Sequence, residues 1–170
     1  MAAIGDLILN VTENIKLRNG NHINSVNQKT ISGINQVVQR VDTISTAFSG
    51  SGVEILKFVG SEGEQTAGSF VKTDVKYIRI TNLDTTNYCD LYLVYNNPVS
   101  GSYNEETRFK LNAGQTFMLS NAEFDATSQD PIVVDGYVDM AYFSNLVEFD
   151  TIKAKANTDD ISIEYFVAST

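Results

Sequence analysis

Hydrophobic and polar residues alternate through most of the chain, and this pattern predicts strands. The clearest stretch, residues 75–95, reads VKYIRITNLDTTNYCDLYLVY. Two runs rich in Val, Ile, Tyr and Leu flank the turn formers TNLDTTN, which predicts a β-hairpin with a loop of several residues. Both runs are apolar on more than one face, so we expect central strands that are covered on both sides.

Further strand patterns recur along the chain with turn-forming residues between them. Residues 53–59 alternate after a Ser-Gly turn, residues 108–111 and 117–119 flank a second predicted hairpin turn, and residues 146–154 and 161–167 flank a third. Strands at intervals of about 10–15 residues, without a clear helix between them, predict an all-β domain. The specific expectation is a single antiparallel β-sandwich of jelly-roll type, with roughly eight strands and an extended N-terminal arm.

Residues 25–48 permit two interpretations. Some of their apolar residues keep the three-to-four residue spacing of one helical stripe, namely Ile31, Ile34, Val38, Val41 and Phe48. Residues 31–46, however, contain no Leu, Ala, Glu or Lys and consist mainly of residue types that favour strands over helix interiors. We therefore predict an extended segment with a long strand over residues 36–45, and a helix over residues 31–46 is the alternative.

The N-terminal residues contain two short apolar runs that are closed by Asn19-Gly20, a strong turn signal. The runs are too short to build a core of their own, so we expect them to dock on the main body or on a neighbouring subunit. We predict a docking segment over residues 1–24 and a β-sandwich domain over residues 25–170. The predicted partner-contact residues are Leu7, Ile8, Leu9, Ile15 and Leu17.

The charge of the chain restricts its partners. Twelve Lys and Arg residues against twenty-one Asp and Glu residues give a net charge of −9. Such a surface repels phosphate groups, and the basic residues are scattered along the sequence, so we expect neither nucleic-acid binding nor adhesion to an anionic membrane. The N-terminus lacks the features of a signal peptide, and no run approaches the ~20 apolar residues of a membrane span. Synthesis in the cytoplasm is the expectation.

Few residues are suited to catalysis or to the binding of a metal or cofactor. Cys89 is the only cysteine and adjoins an apolar strand, which is typical of a buried thiol, and His22, the only histidine, lies in a polar loop pattern. One cysteine and one histidine do not make a zinc site, and no phosphate-binding glycine motif is present. We expect no catalytic residue, no metal site and no cofactor.

Acidic and aromatic residues in irregular stretches are the remaining candidates for binding. Five carboxylates are interpreted as solvating a loop, with a calcium site as the alternative and a glycosidase pair as the weakest one; they are Glu123, Asp125, Asp130, Asp135 and Asp139. Aromatic rings stack on sugars, and three tyrosines outside the clear strand patterns are candidates for contacts with a receptor or glycan, namely Tyr103, Tyr137 and Tyr142.

Five phrases cover much of the chain in order: TENIKLRNGN, KTISGINQVVQRVDTI, DVKYIRITNLDTTNY, KLNAGQTFML and DTIKAKANTDDISIEYFVAST. Together they resemble a family of small virion structural proteins of tailed bacteriophages, including phages of marine bacteria. The resemblance implies a non-enzymatic component of the phage particle, built as a β-sandwich that assembles as an oligomer. None of the phrases is a catalytic motif, so no functional residue carries over.

The resemblance and the residues together favour a decoration or cement protein on the outer surface of a phage capsid. Its expected partners are other virion proteins, such as the major capsid protein, and further copies of the chain. A trimer follows by analogy, because decoration and fibre proteins commonly obey local threefold symmetry. The alternative is a tail- or fibre-associated module that binds a host receptor or glycan through its exposed loops.

Overall fold

The computed structural model describes residues 4–46, 50, 52–96, 104–120, 133–134, 137–138 and 149–170. Within these residues the chain forms strands, one short 3₁₀ turn (Glu62–Glu64) and no α-helix, which confirms the predicted all-β class. The strands are β1 (Gly5–Lys16), β2 (His22–Ile34), β3 (Gln36–Ile44), β4 (Val53–Val59), β5 (Ser69–Val71), β6 (Val75–Asn82), β7 (Cys89–Asn96), β8 (Asn104–Leu111), β9 (Thr116–Ser120), β10 (Val133–Val134), β11 (Tyr137–Val138), β12 (Phe149–Ala156) and β13 (Ile161–Ser169).

The strands form two larger sheets and two small ones. One larger sheet has five strands in the order β5-β4-β12-β7-β8, and the other has four strands in the order β3-β13-β6-β9. Neighbouring strands are antiparallel, except that β4 and β5 run parallel. The pairs β1-β2 and β10-β11 are separate two-stranded sheets.

One hydrophobic core is shared by the two larger sheets. Ile78, Ile80 and Ile163 are fully buried and enter this core from the four-stranded sheet. Leu91 and Ile152 are also fully buried and enter it from the five-stranded sheet. Complete burial of one such side chain contributes roughly 1.5–3 kcal/mol. The apolar contact between the two sheets therefore supplies much of the stability of the described part of the chain.

Strand β6 is covered on both faces near its start, as its sequence predicts. Ile78 and Ile80 point into the shared core, because side chains two residues apart lie on the same face of a strand. Tyr77 lies on the opposite face and is buried in a second apolar cluster together with Ile31 and Ile34 of β2. The second cluster explains why both faces of this strand are apolar.

The three predicted hairpins are wrong in their pairing. Strand β6 belongs to the four-stranded sheet, whereas β7 belongs to the five-stranded sheet. Strands β8 and β9 are separated in the same way, and so are β12 and β13. Turn-forming residues reverse the chain equally well within one sheet or between two stacked sheets that lie about 10 Å apart. The local sequence therefore predicts the reversal but not the partner of each strand.

Asn82 holds the corner at which the chain passes from β6 to β7. Its side chain is fully buried, and its Nδ2 donates to the carbonyl oxygens of Asn87 (2.9 Å) and Leu111 (3.1 Å). Its Oδ1 accepts a hydrogen bond from the backbone amide of Asp84 (3.0 Å), and its backbone carbonyl accepts one from Gly114 (3.0 Å). One buried amide thus connects the four-stranded sheet to β8 of the five-stranded sheet.

Residues 31–34 and 36–44 are strands, and none of residues 31–46 is helical. The strand prediction is therefore confirmed, and the helix alternative is wrong. Strand β2 ends at Ile34, and β3 begins at Gln36 after a single intervening residue. Strand β3 pairs with β13 along its whole length, from Gln36 opposite Ser169 to Ile44 opposite Ile161. Pairing with a central strand satisfies the backbone groups of this segment on one side, which a helix would have satisfied internally.

Replacement of Asn82 by alanine is expected to lower the free energy of unfolding by about 3 kcal/mol, because buried backbone groups lose their partner. The matched control is Asn27→Ala, at an exposed position of β2, which we expect to change it by less than about 0.5 kcal/mol. Urea unfolding followed by circular dichroism measures both values. Equal effects of the two substitutions would contradict this role of Asn82.

Gly52 and Gly68 provide a second matched pair, because both have a φ close to +90° but differ in their surroundings. A Cβ atom on Gly52 would lie 2.6 Å from the carbonyl oxygen of Ala154, whereas one on Gly68 would meet nothing within 4 Å. We expect Gly68→Ala to cost about 1 kcal/mol for the left-handed backbone alone, and Gly52→Ala to cost at least about 2 kcal/mol more. Thermal unfolding of the two variants compares them, and a smaller loss for Gly52→Ala would disprove the close contact.

Candidate functional site

Strands β1 and β2 form a long hairpin that begins the described part of the chain. The turn is closed by a hydrogen bond from the Leu17 amide to the Asn21 carbonyl oxygen (2.8 Å), and the Gly20 amide donates to the Leu17 carbonyl oxygen (3.0 Å). Gly20 has a φ of 86°, a conformation that glycine adopts without steric cost. The Asn-Gly turn signal is therefore confirmed, and it reverses the chain between two strands that do pair.

The strand register gives the hairpin two distinct faces. Leu7 lies opposite Ile31, and Ile15 lies opposite Ile23, so these residues share one face with Leu9 and Val11. We call this the apolar face; its hydrophobic members are Leu7, Leu9, Val11, Ile15, Ile23 and Ile31. The other face is mainly polar and carries Ile8, Val26 and the hydrogen-bonded pair of Asn10 and Gln28 (3.0 Å).

The base of the hairpin, residues 5–9 and 29–34, packs on the four-stranded sheet. Leu7 and Leu9 of β1 contact the apolar cluster that contains the buried Tyr77 and Ala168 and the half-buried Phe166. These three aromatic and small residues lie on the sheet face that points away from the shared core. The base of the hairpin therefore covers one end of that outer face.

The distal half of the hairpin, residues 10–28, contains no buried residue. Its apolar-face side chains Val11, Ile15 and Ile23 are 47%, 49% and 52% exposed. On the other face, Val26 is 67% exposed. An isolated two-stranded ribbon is marginally stable in water, and exposed apolar patches of this kind mark contact sites. The distal half is the candidate functional site.

The hairpin also differs in charge from the rest of the chain. Residues 4–34 carry three basic residues and two acidic ones, whereas the remainder carries nine basic and nineteen acidic residues. The turn region contributes Lys16 and Arg18, with His22 next to them in β2. A slightly basic, apolar element thus projects from a strongly acidic domain, which favours contact with an acidic protein surface.

The structure divides the predicted partner-contact residues into two groups. Leu7 and Leu9 are half-buried at the base of the hairpin, where they contact the chain's own sheet. Ile8, Ile15 and Leu17 are exposed. The predicted division between residues 24 and 25 lies within β2, so one strand of the hairpin extends across it.

Several other candidates from the sequence lie outside the described residues. They include two of the tyrosines proposed for receptor or glycan contacts, Tyr103 and Tyr142. Tyr137 lies in β11, where its backbone pairs with Val134 of β10. The carboxylates of the loop pattern also lie outside the described residues; they are Glu123, Asp125, Asp130, Asp135 and Asp139.

Sequence reasoning missed a group of basic residues on the outer face of the five-stranded sheet. Lys110 of β8 lies opposite Asp90 of β7, and Asp90 lies opposite Lys155 of β12. Arg108, Tyr92 and Lys153 form the neighbouring row in the same three strands. The sequence shows that basic residues in β8 and in β12 are two positions apart. Only the tertiary structure shows that these two strands lie on either side of β7.

Most charges on this outer face have a partner within the face. The Arg108 guanidinium donates to the Asp90 carboxylate, which raises the pKa of Arg108, and it lies 5.8 Å from the centroid of the Tyr92 ring. The Lys110 ammonium lies 3.9 Å from the centroid of the Tyr88 ring. Two tyrosine rings are therefore already in contact with cations of the same chain.

Cys89 is fully buried at the start of β7 and faces the shared core. Loss of solvent, with a smaller contribution from Asp90, raises the pKa of its thiol from 9.0 to about 12. A thiol with this pKa is almost entirely protonated near neutral pH and is a poor nucleophile. His22, in contrast, is exposed in the hairpin, opposite Lys16.

The described residues contain neither a cluster of metal-ligating side chains nor a membrane-spanning helix. In these ranges no group of three or more His, Cys, Asp or Glu side chains is arranged to hold a metal ion. The same part of the chain contains no helix with the length and apolar character that crossing a bilayer requires.

Comparisons of the chain with protein-family models, with curated proteins and with solved structures find no significant match.

Native Cys89 is expected to react with a thiol reagent such as DTNB at least about a hundredfold more slowly than an exposed thiol, because reaction requires local opening of the core. The matched control combines Cys89→Ala with Ser61→Cys, which places one thiol in an exposed loop. In urea the two proteins are expected to react at similar rates. Rapid labelling of native Cys89 at pH 8 would contradict its burial.

Proposed function

We propose that the protein is a non-enzymatic structural component of a phage virion that decorates the outer surface of the capsid. The observation that carries this proposal is the exposed distal half of the β1-β2 hairpin, with Val11, Ile15 and Ile23 on its apolar face. A decoration protein needs a stable body and a surface for contact with the particle. The hairpin provides an element of that kind, and we propose that it acts as an N-terminal arm.

The strand order supports a jelly-roll-like β-sandwich as the body of the protein. Strands β3, β6, β9 and β13 alternate along the chain with β4, β7, β8 and β12, and the two groups occupy different sheets. The orders β3-β13-β6-β9 and β4-β12-β7-β8 are those expected from two interlocked Greek keys. Sandwiches of this type occur in viral capsid proteins and in lectins, which is support by analogy.

The sequence phrases and the charge also support a position on the outside of the particle. Five phrases resemble virion structural proteins of tailed phages, and a net charge of −9 disfavours contact with packaged DNA. The proposed partners are the major capsid protein or other virion proteins and further copies of the chain. A trimer remains the proposed state by analogy with local threefold symmetry.

A tail- or fibre-associated module that binds a host receptor or glycan is the second candidate. The outer face of the five-stranded sheet favours it, because tyrosines and cations lie side by side there. The rings of Tyr88 and Tyr92 are already in contact with Lys110 and Arg108, and this reduces the area that a sugar ring would contact. We therefore place this candidate second.

Cryo-electron microscopy of intact phage particles tests the two candidates against each other. Many copies ordered over the capsid lattice would support the decoration role. A few copies at the tail or on a fibre would overturn it in favour of the receptor-binding role. Absence of the protein from purified particles would overturn both.

A shortened hairpin tests whether the distal half contacts the particle. Residues 10–28 are replaced by Asn-Gly, so that a two-residue turn joins Leu9 to the residue opposite it, Lys29. The base of the hairpin still covers Tyr77, so we expect the fold to persist in thermal unfolding. Occupancy on particles, measured by quantitative gel analysis, is expected to fall at least about tenfold. A Glu62→Gln variant, which changes only an exposed loop, is the control, and equal occupancy of all three proteins would disprove the contact.

A further inference from the structure

The outer face of the four-stranded sheet is only partly covered by the hairpin of the same chain. The hairpin base covers the end that carries Tyr77 and Ala168. Beyond Phe166 the face remains open, and Val41 and Met118 on it are 58% and 55% exposed. We call this region the open sheet face; its members by register are Gln39, Val41, Arg79, Thr81, Thr116, Met118 and Glu164.

The centre of the open sheet face is held in place by polar contacts. Glu164 accepts hydrogen bonds from Arg79 (2.9 Å) and from Gln39. The Arg79 guanidinium lies 5.6 Å from the centroid of the Phe166 ring. The only carboxylate of this face is thus paired, and the exposed Val41 and Met118 flank it on the two edge strands. The result is a preorganised surface with apolar margins.

The far end of the open sheet face carries acidic loops. Asp84 follows the end of β6, and Asp159 and Asp160 precede the start of β13. Residues 83–88 and 157–160 contain no Lys or Arg. Asp84 accepts hydrogen bonds from the backbone amides of Thr86 and Asn87, and these lower the pKa of its carboxyl group. The Thr46 amide lowers the pKa of Asp160 in the same way, so both stay ionised near neutral pH.

The hairpin and this surface complement each other in order, length and charge. Along the apolar face of the hairpin, Val11, Glu13 and Ile15 follow one another and lead to the turn that carries Arg18. Along the sheet, the apolar margin leads to the acidic loops. Residues 10–17 span about 26 Å and β13 from Phe166 to Ile161 spans about 20 Å, at roughly 3.3 Å per strand residue.

We propose that the distal half of the hairpin of one copy packs its apolar face on the open sheet face of a second copy, with the turn residue Arg18 against the acidic loops. Within one chain these surfaces do not meet, because the distal half has no buried residue. The base of the hairpin already packs on the adjoining part of the same face, so the second copy extends an existing apolar contact. This contact does not depend on the proposed virion role. The virion role includes contacts between copies of the chain, and this proposal says which two surfaces form them.

The contact joins two different surfaces of the chain. It closes by reciprocal exchange between two copies, or as a ring of more copies. Either arrangement covers Val11, Ile15 and Ile23 on every copy and leaves the other face of the hairpin, with Val26, exposed for the particle contact. The molar mass of the purified protein distinguishes the two arrangements.

Analytical ultracentrifugation of the purified chain tests the proposal. Val11→Ser/Ile15→Ser removes two aliphatic side chains from the apolar face, and Ile8→Ser/Val26→Ser removes two that are even more exposed from the other face. We expect the first pair to weaken self-association at least about tenfold and the second pair by less than about threefold. A monomeric wild-type protein at ~100 μM, or equal effects of the two pairs, would overturn the proposal.

A charge exchange tests the orientation of the contact. Arg18→Glu changes only the exposed turn and is expected to weaken self-association, and adding Asp159→Lys in the same chain is expected to restore part of the loss. Asp159 is chosen because no backbone hydrogen bond is assigned to its carboxylate, unlike those of Asp84 and Asp160. If adding Asp159→Lys does not restore self-association, the placement of the turn against the acidic loops is overturned.

A mixing experiment separates the two halves of the contact. The hairpin variant Val11→Ser/Ile15→Ser retains an intact open sheet face, whereas Val41→Arg/Met118→Arg retains an intact hairpin. Each variant alone is expected to be monomeric, and an equimolar mixture is expected to form a mixed dimer through one intact contact. No mixed dimer from two folded variants would overturn the proposal. Because no phage particle is present, this result is independent of whether the protein is located in a virion.

Discussion

The corner at Asn82 is the polar contact on which the joining of the two larger sheets depends. A buried amide has to satisfy its donors and its acceptor, and Asn82 does so by binding groups that belong to the β6-β7 connection and to β8. The hydrophobic effect that holds the core between the sheets is non-directional. The directional bonds of Asn82 complement it by fixing where the chain leaves one sheet for the other.

The distal half of the hairpin, unlike the two larger sheets, has no hydrophobic core to stabilise it. The two larger sheets bury apolar side chains in a shared core, whereas the distal half of the hairpin contains no buried residue. A ribbon of two strands gains little stability from its own pairing. Its exposed Val11, Ile15 and Ile23 are costly in water unless another surface covers them. The proposals for a particle contact and for a copy-to-copy contact both follow from this one imbalance.

The distribution of charge separates the surfaces of the molecule. The net charge of −9 divides into −10 for the body and +1 for the hairpin, and the outer face of the five-stranded sheet collects basic residues on β8 and β12. Most of these sheet cations are paired with acids or lie over tyrosine rings within the face. The hairpin turn, with Lys16 and Arg18, is therefore the basic region best placed to meet an acidic partner.

The sequence alone determined the class and the strands, because alternation with period two and turn residues such as Asn19-Gly20 act over a few neighbouring residues. It also predicts a contact role for the N-terminal residues, since apolar runs of that length cannot form a core. Pairing was decided only by the tertiary structure: β6 and β7 are joined by a short connection yet lie in different sheets. Likewise, only the packing separated Leu9, which covers the sheet, from Ile15, which does not. A turn signal indicates that the chain reverses. Which strand the returning chain pairs with depends on the burial of side chains between two sheets, and this involves residues far apart in the sequence.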